Sequence, residues 1–134
     1  MKRIRTLLAV LAIASAALAG FTGTAVAQHL VESYWAYIGT QDLYNSKGVR
    51  LSAPWQVLRQ DRANVHKFGI SQVGDEWDSL FGSYDNRAAM EQMIMNGGID
   101  PNASRILMRG GATVFVRIYG HGNTGTSIRV TVSN

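Results

Sequence analysis

The sequence contains no cysteine, and that absence removes several chemistries together. Disulfide staples, thiol nucleophiles, cysteine-ligated zinc and iron–sulfur clusters are all excluded. Proline is nearly absent as well: the two residues, Pro54 and Pro101, both sit where a helix is expected to begin. No apolar run approaches the roughly 20 residues that a helix needs to cross about 30 Å of hydrocarbon. The sequence has no Gly-x-Ser-x-Gly nucleophile elbow and no internal repeat. Its one glycine-rich tract, residues 120–125, does not lead from a strand into a helix, as a phosphate-binding loop must.

What is present first is a leader. Lys2, Arg3 and Arg5 form a positive start, and residues 7–19 follow as thirteen uncharged, mostly apolar positions. Small residues then offer a cleavage point after Ala27, preferred over one after Ala19 because residues 20–24 make a polar, flexible approach. The pattern predicts a cleavable signal peptide over 1–27 and an exported protein, periplasmic or secreted, that meets a membrane only in transit. No cysteine follows the apolar run and no Arg-Arg pair precedes it, which argues against a lipid anchor and for export as an unfolded chain.

The leader also accounts for the charge. Thirteen basic residues stand against nine acidic ones over the whole chain, but without 1–27 the balance is ten against nine. The remaining basic residues are scattered, so a nucleic-acid partner is not expected. The 107 residues of 28–134 fit one small globular domain able to bury a core without cross-links.

Residues 30–38, rich in aromatic and β-branched side chains, read as a strand. Residues 45–48 mark a turn, and 49–51 a short returning strand. Ser52 and Pro54 open a first helix that runs to Lys67 and stops at Gly69. Residues 70–83 read as a loop that holds an acidic cluster and one apolar anchor, Leu80-Phe81. A second helix is expected from Asp85 to Asn96, ended by Gly97-Gly98. A third, short one starts at Asp100-Pro101 and stops at Gly110-Gly111. The helix, turn and short helix of this last stretch, about 25 residues, are loosely similar to the SHOCT-type helical hairpin, and no function is carried from that likeness. Val114, Val116 and Ile118, then Ile128, Val130 and Val132, alternate with polar or aromatic neighbours and predict an antiparallel hairpin. With the N-terminal strand joining the hairpin, the expected fold is α+β: a small antiparallel sheet packed with two or three helices.

Candidate binding residues fall in three groups. Arg59, Arg62 and His66 recur at i, i+3, i+7 along one face of the first helix, a stripe suited to an anion or carboxylate with His66 as proton donor. Asp61 lies on another side of that helix. The favoured reading of the stripe is a solvated face with ion pairs to the following loop. Asp75, Glu76 and Asp78 bring three carboxylates within four residues, as a hard cation would want, but without the spread of an EF-hand loop. A solvated turn is favoured there. Trp35, Tyr37, Phe115 and Tyr119, with Arg117, share alternation phases that would make a stacking platform for sugar rings or peptides, although core covered by helices is the favoured reading. His29 is expected in frayed chain, and His121 at an exposed hairpin tip. Met90, Met93 and Ile94 read as ordinary core, with Met90, Met93 and Met95 an alternative interface. No cofactor, metal or catalytic set is indicated.

These observations point to a non-catalytic binding domain of the cell envelope whose partner is a protein, a peptide or an envelope polymer. The alternatives are a small secreted hydrolase using His66 with an acidic residue of 75–78, and a structural or oligomer-forming protein.

Overall fold

A computed structural model describes Gly23 and residues 25–134. Most of the expected signal peptide, 1–22 and Thr24, lies outside the described residues. The fold is α+β. Strand β1 (His29–Ile38) is followed by helices α1 (Pro54–Ala63), α2 (Tyr84–Met93) and α3 (Pro101–Arg109), then strands β2 (Ala112–His121) and β3 (Thr124–Ser133). The three strands form one antiparallel sheet in the order β1-β2-β3, so the first strand pairs with the first arm of the C-terminal hairpin.

The period-2 alternation decides what faces the helices. Tyr34, Ala36 and Ile38 of β1, Val114, Val116 and Ile118 of β2, and Ile128 and Val130 of β3 are buried together. They pack against Val57 and Leu58 of α1, Met90 of α2, Leu107 of α3 and the loop anchor Phe81. Each of the buried Val, Leu, Ile, Met and Phe side chains contributes roughly 1.5–3 kcal/mol by leaving water.

Local chemistry sets the helix ends. Asp100 accepts from the backbone N–H groups of Asn102 and Ala103, and Pro101 opens α3 where a missing N–H costs nothing. Ser83 caps α2 through Asn86 N. Helix α1 departs from the expected start: its N-cap is Ala53, and Ser52 instead bonds the side chain of Gln56. Both α1 and α2 continue into a wider, π-type turn, at Asn64–Phe68 and Ile94–Gly98. Gly69 ends the first of these at φ 65°, a left-handed conformation that glycine adopts without strain. The short strand expected at 49–51 is reduced to an isolated bridge between Tyr44 and Arg50. Met90 and Ile94 are core and Met93 packs against it, whereas Met95 points outward. No described helix is long and apolar enough to cross a membrane.

Candidate functional site

The first-helix stripe divides. Arg59 turns to α2, where it pairs with Glu91 at 3.1 Å and lies over the Tyr84 ring. Arg62 goes inward and is fully buried, which corrects the expected solvation of this face, although its pair with Asp78 is an ion pair to the following loop as that reading had it. Its guanidinium lies 4.2 Å over the Tyr34 ring, donates from Nε to Asp61 Oδ2 at 2.8 Å, and donates from Nη1 to Asp78 Oδ2 at 3.0 Å. His66, whose side chain is 2% exposed, bonds the same Asp78 oxygen at 2.7 Å. Arg62 and His66, four residues apart along the helix and its π-type turn, thus converge on one Asp78 oxygen. Trp77, largely exposed, packs edge-on against the imidazole at 4.2 Å.

Asp78 is saturated. Its other oxygen accepts from the backbone N–H groups of Leu80 and Phe81, and these bonds with those from His66 and Arg62 hold its carboxyl below the usual range despite burial. Asp61 is the opposite case. It is buried, has one bond and leaves Oδ1 without a partner. Burial pushes its carboxyl up to about 7, even with Arg62 adjacent. Tyr34 Oη, Arg62 Nη2 and His66 Nδ1 are also buried without partners. This polar cluster therefore ties the end of α1 to the acidic loop at the cost of several unmet hydrogen bonds.

The rest of the acidic loop serves the sheet edge. Asp75 Oδ1 accepts from Tyr37 N at 2.9 Å, and Glu76 Oε2 accepts from Trp35 N at 2.9 Å. Glu76 N donates to Trp35 O at 2.8 Å, and Gln72 Nε2 donates to Tyr37 O at 3.2 Å. The carboxylates thus stand in for a missing fourth strand along β1. Asp75, Glu76 and Asp78 do not converge, and among the described residues no three His, Asp or Glu side chains are placed to hold a metal ion.

The aromatic group lies on the face of the sheet that the helices leave uncovered. That overturns the reading of these residues as core. Trp35 stacks on Phe115 with ring centroids 4.5 Å apart and stays 44% exposed. Tyr37 lies beside this pair in β1, and Tyr119 further along β2 opposite Leu30. Arg117 lies 5.3 Å over the Phe115 ring and donates to Thr131 Oγ1. Its register partner in β3 is Arg129, so two cations stand directly across from each other. No carboxylate is among the side chains that β1, β2 and β3 place on this face. No family model, curated protein or solved structure matches this chain. The site therefore rests on its own geometry.

Arg129 was not singled out in the sequence, although the alternation of β3 places it with Arg117 once the register is known. Tyr34, the floor beneath Arg62, gave no signal beyond its place in a strand. His121 sits exposed at the hairpin turn, and His29, rather than lying in frayed chain, begins β1 with its ring against Gly122 O.

Proposed function

We propose that this chain is an exported, non-catalytic binding domain that presents the uncovered face of its sheet to an acidic glycan of the cell envelope. The observation that carries the reading is the one-sided sheet. A face left open by all three helices holds a stacked Trp35–Phe115 pair, Tyr37 and Tyr119, with Arg117 and Arg129 and no acid among its side chains. Aromatic rings offer sugar rings an apolar face, and arginine forks suit carboxylate and sulfate groups. The leader over 1–27 supplies the export half of the proposal.

Titration of residues 28–134, which contain every element of the fold, with polygalacturonate and with dextran tests it through tryptophan fluorescence. Binding to the acidic polymer, lost in Trp35→Ala and weakened at higher salt, is the expected result. Failure of the intact domain to bind either polymer refutes the glycan reading. Fractionation of producing cells tests export: recovery in the cytoplasm with an intact N-terminus refutes it. The hydrolase alternative has the His66–Asp78 bond in its favour, but Asp78 is also held by three structural bonds, from Arg62, Leu80 N and Phe81 N, and His66 Nδ1 is buried.

A further inference from the structure

The two arginines of the open face are held differently, and the difference bears on which anion the face selects. Arg117 is fixed. Its guanidinium lies 5.3 Å over the Phe115 ring, which is itself stacked on Trp35, and its Nη2 donates to Thr131 Oγ1 at 3.0 Å. Its Nε is buried without a partner. Among the described residues, Nη1 is therefore the one nitrogen of this side chain that is neither bonded nor buried. Arg129 is exposed and, among the described residues, makes no ion pair. It stands directly opposite Arg117, where like charges about 5 Å apart at Cβ repel. Ser33 completes this row on the β1 side, and no carboxylate occupies the row or those beside it.

A guanidinium grips a carboxylate with two parallel bonds through a pair of neighbouring N–H groups. Both usable pairs include Nη2, with either Nη1 or Nε as the second donor. In Arg117 the burial of Nε closes one pair, and in the other Nη2 already donates to Thr131. An anion at Arg117 is thus met by Nη1, and its further bonds come from Arg129 on the neighbouring strand. A carboxylate has two oxygens in one plane, matched to a single fork. A sulfate or phosphate monoester has three terminal oxygens fanned around the central atom. One such group accepts from both strands at once and neutralises the facing charges. Building on the glycan-binding reading above, we infer that Arg117 and Arg129 together form a receptor for a sulfate or phosphate monoester on the glycan, in preference to a carboxylate. Carboxylates still bind, through the free fork of Arg129, but more weakly. Thr131 is a positioning residue: without its hydroxyl, Arg117 regains a fork. The sugar that bears the ester neighbours the one on Trp35, a row about 7 Å along the strands.

Dextran sulfate, dextran phosphate and carboxymethyl dextran, matched in charge density, share a backbone and differ in the charged group. Tryptophan fluorescence of residues 28–134 reads each titration at one ionic strength. An ester polymer is expected to bind roughly tenfold tighter than carboxymethyl dextran, and the tighter of the two esters identifies the group. Carboxymethyl dextran binding as tightly as the esters overturns the receptor and leaves the acidic-glycan reading in place. No binding to any of the three removes both. Two substitutions at exposed positions separate the receptor from bulk charge attraction, with thermal melting confirming that each variant folds like the parent. Thr131→Val should erase most of the preference by strengthening binding of carboxymethyl dextran, a change that loss of a merely structural contact would not produce. Arg129→Gln should weaken all three polymers and leave no ester preference, since donors then remain on one strand only. An ester preference that survives both substitutions overturns the assignment.

Discussion

Replacement of Asp61 by asparagine separates two accounts of the buried cluster that differ in sign. Arg62 is one cation between two buried carboxylates, and the bonding is unequal: Asp78 accepts four hydrogen bonds, Asp61 one. Asp61 is therefore the group that holds a proton, with its carboxyl raised from 3.8 to about 7 by burial. Because the folded state keeps that proton to higher pH than the unfolded chain, folding takes up a proton between about pH 4 and pH 7. The stability contributed by protonated Asp61 is complete below pH 4 and is lost as pH rises through 7. Three pKa units at about 1.36 kcal/mol each give an upper figure of about 4 kcal/mol, which sharing of Arg62 reduces. Asparagine keeps an acceptor for Arg62 Nε and cannot ionise. Urea unfolding of parent and Asp61→Asn at several pH values between 4 and 8 should thus show the variant gaining on the parent as pH rises, and equal or more stable at pH 8. If Asp61→Asn instead costs about 3–5 kcal/mol at pH 8, as breaking a buried ion pair does, the account of Asp61 as a proton-holding acid is wrong.

Other perturbations read other parts of the fold. Asp78→Asn should cost about 3–5 kcal/mol at neutral pH by urea unfolding, since it strips a buried carboxylate from Arg62 and His66. In the parent, Asp78 contributes stability above about pH 4 that is lost as pH falls through its depressed value, so acid unfolding should be shallower in this variant. Gly120→Ala would place a Cβ on the Thr124 carbonyl and should open the hairpin, with a loss of about 2–4 kcal/mol in thermal unfolding. Asp100→Ala removes two cap bonds from α3 and should cost about 1 kcal/mol. Asp75→Ala with Glu76→Ala uncovers the β1 edge, and light scattering should show aggregation at concentrations where the parent stays clear.

Much of the architecture was legible because local signals agreed. The alternation of 113–119 and 127–133, the stops at Gly69 and Gly110, and the Asp100-Pro101 start each name an element on their own. What was not legible depended on comparison between faces. Both sides of β1 carry large apolar groups, Tyr34 and Ile38 on one, Trp35 and Tyr37 on the other, so period-2 alternation leaves the covered side undecided. Arg62 reads as a surface residue because cations are rarely buried, and only Asp61, Asp78 and Tyr34 converging on it from three segments reverse that. The acidic run 75–78 looked like a cluster, whereas two of its carboxylates are spent on backbone N–H groups that are remote in sequence.

The pairing of β1 with β2 also governs when the protein can fold. His29 meets Gly120 and Ile38 meets Ala112, so the central strand is supplied only after most of the chain has been made. Contacts of such separation are slow to form, and an N-terminal portion on its own has no sheet to complete. Under the export proposed above, a chain threaded N-terminus first would stay unfolded until it had nearly cleared the pore. The loop carrying Asp75 and Glu76 also precedes β2 in the chain, so both segments that meet at the outer edge of β1 are made before the strand's sheet partner.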